Sequence, residues 1–455
     1  MKTLLKGATI VTMNPRREVL EGGDLLIEED RIARVGAAGS FTGGKVDESV
    51  ECAGKIIVPG LVSAHSHLTG IFQRGLWDET TFESWSSRSS ATENLLNFSA
   101  HEIYLLHAAA CLEFLRHGVT TVLNMFTPRP ALPLESIQSA CRAFVDTGTR
   151  GVLALSLMDQ SPDNDSITPG FGPRKSLISL CRDAGQWIKD FHSSVAFMLA
   201  PSAPQRCSDR LLTSCRELGE ELRAGIHTHL AETERHAQVA LRLYGEPMVK
   251  HLEKIGFLAP HLSVAHATWL GDKEIDLLKA YDVKVVHNPA ANMKLGSGVA
   301  RVRTMLDKSL PVGLGADSVN AGTVYSIFEQ MKLAVLLPRS VSGAENWLRP
   351  EEALEMGTIG GARAVLMDEI IGSIEEGKKA DLLILEPCSS LLPMNDLAKQ
   401  LVLSENGESV ESVYVDGKAV LWERSFTAID EQAILAGLSS LRPRIARAQA
   451  KVLRG

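Results

Sequence analysis

Several histidines and acids in this chain could do chemistry together, because each falls at the end of a short apolar run. His65-Ser66-His67 closes IIVPGLVSA, and His227-Thr228-His229 closes AGI, with Glu232 three residues further on. His266 ends LSVAH, His287 ends VKVVH and Asp317 ends LPVGLGAD. If these runs are strands, residues two apart face the same way, so His65 and His67 can both reach one ion. A third imidazole, His227 or His229, and the carboxylate of Asp317 would complete a nitrogen-and-oxygen site with room for water. Period two alone cannot choose between His227 and His229. Such a donor set suits zinc or ferrous iron better than magnesium or calcium. A lone histidine at a strand end is more often packed than ligating; several at successive strand ends are a much rarer accident. His101, His107, His117, His192, His236, His251 and His261 fall in helical or loop segments and are read as structural. Cys207 and Cys215 are read as small buried residues.

The elements that must position these groups follow from the texture of the chain. From about residue 58 to 366, short apolar runs such as GVTTVLNM, RGVLALSL and VAFMLAP alternate with longer helical stretches such as HEIYLLHAAACLEFLRHG. Eight β-then-α units in series predict an α/β fold, a (β/α)8 TIM-like barrel, whose chemistry sits at the C-terminal ends of its strands. Residues 1–57 and 367–455 are β-rich instead, with a hairpin signal at Asp416-Gly417. They predict one small β-sandwich domain built from both termini, plus a closing helix from Asp430. The Pro/Gly/Asp-rich segment from Asp159 to Arg174 reads as a long exposed loop, a candidate lid.

Composition sets the outer limits. The 455 residues carry 47 Lys+Arg against 55 Asp+Glu, a net charge of -8, and no basic run. That balance argues against nucleic acid and against an anionic membrane surface as partners. The seven cysteines are scattered, odd in number and never in a CxxC pair, as expected of reduced thiols in a cytoplasmic protein. Lys6 interrupts any apolar core of a signal peptide, and no run approaches 18 apolar residues. A small-molecule substrate is the expected partner.

Taken in order, VPGLVSAHSHLTGIFQRGL, HTHLAET, VAHATWL, VVHNPAANMKLGSG and GLGADS resemble the amidohydrolase superfamily. Within it the chain is similar to the N-heterocycle aminohydrolases and triazine hydrolases, the branch that also holds methylthioadenosine and S-adenosylhomocysteine deaminases. The resemblance spans nearly the whole chain, with GSIEEGKKADLLIL as the return strand into the β domain. It implies His65, His67, His229 and Asp317 as metal ligands, since the family pattern His-x-x-Glu matches His229 and Glu232. Glu232 would then move protons, and His266 would orient the attacking water. Binuclear relatives carry a bridging Lys after strand four; AFMLAPSAPQ has none, so one divalent metal is expected, zinc ahead of ferrous iron.

The implied reaction is hydrolytic deamination of an aminated N-heterocycle (purine, pterin, pyrimidine or triazine) with release of ammonia. Dechlorination or dealkylamination of a triazine, or ring-amide opening, would use the same machinery. Asp317 would take a proton from the attacking water, and Glu232 would protonate the ring nitrogen. For substrate contacts, Gln205 and Arg206 lie just past a strand end, and Asn292 lies on the strand-seven loop. Trp77, with Trp85 and Phe72, could wall a flat ring. Arg150 and Glu93 fall near positions resembling the branch's sugar and carboxylate contacts. The resemblance also implies a homodimer or higher homo-oligomer.

Overall fold

A computed structural model describes residues 1–41, 45–78, 81–127, 133–160 and 174–454. The alternating runs at the N-terminus form β1 (Lys2–Val11), β2 (Val19–Glu28), β3 (Arg31–Ala37), β4 (Glu48–Glu51) and β5 (Ile56–Pro59). The apolar runs of the middle form β6 (Leu61–Ser66), β7 (Val119–Phe126), β8 (Arg150–Leu157), β9 (Val195–Pro201), β10 (Gly225–Leu230), β11 (Leu262–His266), β12 (Lys284–His287) and β13 (Val312–Leu314). The C-terminal part adds β14 (Leu382–Leu385), β15 (Val410–Val415), β16 (Lys418–Trp422) and β17 (Ser425–Phe426).

Strands β6 to β13 pair in chain order, all parallel, and helices lie between them. β7 and β8 are buried along their whole length, as parallel strands covered on both faces must be. The barrel interior is packed with Val62, Leu123, Val152, Met198 and Val286. Beyond β13, Ser66 bridges to Asp317, whose N–H donates to the His65 carbonyl at 3.0 Å. The seam that closes the barrel therefore lies among the residues singled out for chemistry.

Among the described residues the remaining strands form one nine-stranded mixed sheet, β17-β16-β15-β14-β5-β1-β2-β3, with β4 beside β1. The two ends of the chain meet where β5 runs antiparallel to β14, Ile57 opposite Ile384. Leu5, Ile10, Leu25, Ile57, Leu382 and Tyr414 share one buried core, so the sheet encloses its own interior. The β15–β16 hairpin turns on Asp416 and Gly417, both at positive φ, as its Asp-Gly signal requires. A side chain at Gly417 would meet the Glu29 carbonyl at 2.2 Å. β5 belongs to this sheet, so the barrel begins at Leu61, three residues after the expected boundary. The expected closing helix is two, Glu431–Ser440 and Arg442–Val452, the second opening on Pro443.

Arg150 corrects one expectation. It is the first residue of β8, about 23 Å of strand from the end where a barrel keeps its chemistry. There its guanidinium donates to both oxygens of Asp381 at 2.8 and 3.0 Å and to Asp416 at 2.6 Å. Only 2% exposed, it ties the barrel's underside to the mixed sheet, away from the strand ends that carry the site.

Candidate active site

The strand ends converge on one point. His65 and His67 leave β6 together, His229 comes from β10, His266 ends β11, and Asp317 follows β13. Ligand atoms of His65, His67 and His229 all lie within 4.8 Å of one another, as do those of His65, His266 and Asp317. Asp317 Oδ1 sits 3.6 Å from His65 Nε2 and 3.8 Å from His67 Nε2, while Oδ2 sits 3.7 Å from His266 Nε2. Glu232 Oε1 lies 3.9 Å from the same His266 nitrogen. Several of these strand ends turn through left-handed backbone: Ala231 (φ 44°), His266 (φ 70°), Ala267 (φ 49°) and Asp317 (φ 58°). Such conformations in non-glycine residues cost about 1–3 kcal/mol each and are held by the surrounding barrel. Thr233 caps the helix at Glu234–Tyr244 by accepting from the His236 N–H, which fixes Glu232 at its mouth.

Hydrogen bonds on the far side of the rings orient them. His67 Nδ1 donates to the Met125 carbonyl at 2.8 Å, and His229 Nδ1 donates to the Ser202 carbonyl at 2.6 Å. A carbonyl can only accept, so both Nδ1 atoms carry the proton and both Nε2 atoms carry a lone pair. Those two lone-pair nitrogens face each other at 3.2 Å. Two imidazoles bound at about 2.0–2.1 Å to one tetrahedral ion stand about 3.3 Å apart, so the pair has the spacing of two ligands. The buried Nε2 atoms of His65 and His266 have no hydrogen-bond partner among the described residues. The donor set and its geometry fit a divalent metal.

Burial and charge tune the same groups. Burial lowers the His65 imidazole to about 4, opposed by Asp317. Burial also takes His229 well below the usual histidine range, with the neighbouring imidazoles adding to it. Both are therefore neutral at pH 7, the form a metal binds. For Asp317 burial acts upward, but the neighbouring imidazoles of His65, His266 and His67 hold it well below the ordinary carboxylate range. Burial pushes the Glu232 carboxyl the other way, up to about 7, opposed by His266 and helped by Asp317. Two carboxylates with separated proton affinities in one cleft can divide acid and base work.

The cleft above this cluster has one wall on the helix Phe82–Leu96. Ser86, Ser89, Ser90 and Glu93 face it, a spacing of i, i+3, i+4, i+7 that puts them on one helix face. That helical spacing is a sequence signal for a polar wall, although it carries no motif. Glu93 and Arg206 line the cleft, and His236, read as structural, lines it too. Of the aromatic residues, Phe82 and Trp85 line it, while Phe72 packs on Phe98 at 4.9 Å.

Three expected substrate contacts do not reach the cleft. Trp77 is 6% exposed and turns inward on a left-handed backbone, its ring 5.8 Å from the Arg88 guanidinium. Gln205 lies in a tight turn at Pro204–Arg206 that points Arg206 to the cleft and leaves Gln205 buried. Asn292 is buried behind His266, accepting from its Nδ1 at 2.8 Å and donating to Thr268 at 3.2 Å. It holds the imidazole instead of the substrate. The Asp159–Arg174 segment lies outside the described residues except at its ends, where Asp159 accepts from Ser208.

A parallel barrel that gathers four histidines and an aspartate at the C-terminal ends of its strands has the donor set of a metal-dependent hydrolase scaffold. The Amidohydrolase family matches residues 56–420, and the chain belongs to that family. It is a hydrolase acting on carbon–nitrogen bonds. Over 441 residues, 96% of this chain and 97% of the relative, it is 31% identical to a 5-methylthioadenosine/S-adenosylhomocysteine deaminase of Bacillus cytotoxicus. Its fold is similar to a zinc-bound adenosine deaminase from Xanthomonas campestris (TM-score 0.89, 24% identity, 98% of each chain). A zinc complex of atrazine chlorohydrolase from Arthrobacter aurescens is equally similar (TM-score 0.89, 24% identity, 96% and 99% of the two chains). Among the described residues no helix is long and apolar enough to cross a membrane.

Proposed function

We propose that the protein is a metal-dependent aminohydrolase that removes an amino group from an N-heterocycle and releases ammonia. The observation that carries this reading is the pair of lone-pair nitrogens, His67 Nε2 and His229 Nε2, facing each other at 3.2 Å beside Asp317. His65, His67, His229 and Asp317 would hold one divalent ion, with zinc favoured by three nitrogen donors and one oxygen donor. Such an ion supplies Lewis acidity that makes water a nucleophile near neutral pH.

The chain's own groups do the rest. Asp317, held as a carboxylate, accepts the proton of the attacking water. Glu232, protonated near neutral pH, gives its proton to the ring nitrogen next to the carbon under attack, so that the amidine can become tetrahedral. His266, braced by Asn292, orients the water through Nε2. The proton then passes from the carboxyl groups to the departing amine, which leaves as ammonia. Trp85 and Phe82 support a flat ring, and Arg206 and Glu93 offer opposite charges to its substituents. The relatives named as adenine-nucleoside deaminases support an aminated purine among the candidate rings. The seven cysteines, none of them paired, support a reducing cytoplasmic setting. The working protein is a homodimer or higher oligomer, which light scattering of the purified chain tests.

The direct test incubates the zinc-loaded protein with purine nucleosides, pterins, pyrimidines and triazines while following ammonia, chloride and alkylamine separately. Ammonia release is the expected result. Chloride or alkylamine release without ammonia would overturn deamination while leaving the metal site intact.

A further inference from the structure

We propose that His227 is a positioning residue: within a buried hydrogen-bond chain to Ser263, it supplies the acceptor for the Nδ1 proton of His65 that leaves His65 Nε2 free to bind the metal. The inference rests on the metal reading above and adds to it a residue outside the ligand set.

His227 shares β10 and its face with His229, two residues on, yet it serves a different purpose. His65 Nδ1 stands 2.8 Å from His227 Nε2, and His227 Nδ1 stands 2.7 Å from Ser263 Oγ. All three side chains are buried. The contrast with the other two imidazoles matters. His67 and His229 lean on backbone carbonyls, which can only accept, so their Nε2 lone pairs are assured. His65 leans on another imidazole, which can accept or donate, and that imidazole leans on a hydroxyl, which can also do either.

Two proton arrangements satisfy the chain. In one, His65 Nδ1–H donates to His227 Nε2, and His227 Nδ1–H donates to Ser263 Oγ; His65 Nε2 is then a lone pair. In the other, Ser263 O–H donates to His227 Nδ1, and His227 Nε2–H donates to His65 Nδ1. His65 then carries its proton on Nε2, aimed at Asp317 Oδ1 3.6 Å away, and cannot bind a cation. Only the first arrangement completes the ligand set, and it requires an acceptor at position 227. Outer partners of this kind typically change metal affinity by about 10–100-fold.

Two substitutions separate acceptance from packing. In His227→Gln the amide oxygen can accept from His65 Nδ1–H while the amide N–H donates to Ser263. His227→Leu fills the space and offers no acceptor, leaving a buried N–H unpaired. Zinc affinity is measured by competition with a chromophoric chelator, and the visible absorption of the Co2+-loaded proteins reports ligand number independently of turnover. The expected result is an affinity within about threefold of wild type for His227→Gln and a loss of about 10–100-fold for His227→Leu, with a changed cobalt spectrum. If His227→Leu binds zinc as tightly as wild type, or His227→Gln loses as much as His227→Leu, the inference is overturned. Should metal-free His227→Leu fail to melt cooperatively, Ser263→Ala decides: weakened zinc binding supports the chain, and unchanged binding refutes it. A wild-type protein that binds no transition metal overturns the metal reading and this inference with it. A metal-replete wild type with unaltered variants overturns this inference alone.

Discussion

Replacing Glu232 with Gln is expected to lower turnover by orders of magnitude and, in the metal-free protein, to raise stability in alkaline solution. The carboxyl titrates near 4.5 when unfolded and is pushed by burial up to about 7 in the fold. The folded chain therefore holds this proton more tightly than the unfolded chain does. Its contribution to stability is fully present below pH 4.5 and is lost as pH rises through 7. Each pH unit of that displacement carries about 1.4 kcal/mol, so at pH 8 the ionised, buried Glu232 costs the fold about 3 kcal/mol. At pH 5 the same cost is under about 1 kcal/mol. Gln does not titrate and removes the cost. With an unfolding entropy of about 2.1 cal/mol/K per residue, 3 kcal/mol over this chain is about 3 °C in melting temperature. Thermal or urea unfolding of chelator-treated wild type and Glu232→Gln at pH 5 and pH 8 reads it directly. In the metal-loaded enzyme the same variant keeps its ion and loses about 10²–10⁴-fold in kcat. A variant that gains no stability at pH 8, or gains as much at pH 5, would refute the burial argument. Wild-type kcat would refute the proton-transfer role.

Other perturbations test separate parts of the account. Arg150→Met leaves the buried Asp381 without its cation, while Asp416 keeps Lys379 at 3.1 Å, and is expected to cost about 3–5 kcal/mol in urea unfolding. The KM of the folded fraction should be unchanged; a raised KM at unchanged stability would return Arg150 to the substrate. Asn292→Leu frees His266 to rotate and should lower kcat by up to about 10²-fold without altering metal content, read by steady-state kinetics and metal analysis. Chelation should remove activity and lower the melting temperature. Zinc at a hundred times its Kd should restore about 2.7 kcal/mol, measurable by calorimetry.

The barrel was legible because each strand is a short apolar run bounded by helical segments, and because strand order in such a fold follows chain order. His65, His67 and Asp317 were legible for the same reason, as polar residues placed where apolar runs end. The choice between His227 and His229 was not visible in periodicity, since the two share a face. What distinguishes them in the fold is the Ser202 carbonyl, delivered by a neighbouring strand 27 residues earlier, against the side chain of His65. Arg150 was misread although its position held the clue: a charge that precedes an apolar run sits at the bottom of a barrel strand. Trp77 and Gln205 depend on local backbone turns whose direction the residue types do not encode. The serines of the helix Phe82–Leu96 were findable by helical spacing but carry no motif.

The central claim, hydrolytic deamination at a single metal held by His65, His67, His229 and Asp317, is tested most directly by ammonia release. Purified protein containing about one equivalent of zinc, offered a panel of aminated purines, pterins, pyrimidines and triazines, is predicted to release ammonia in step with loss of the ring amino group. The same protein stripped of metal should release none. A zinc-replete protein that liberates no ammonia from any ring in the panel, or a stripped protein that works as fast as the loaded one, would contradict the account.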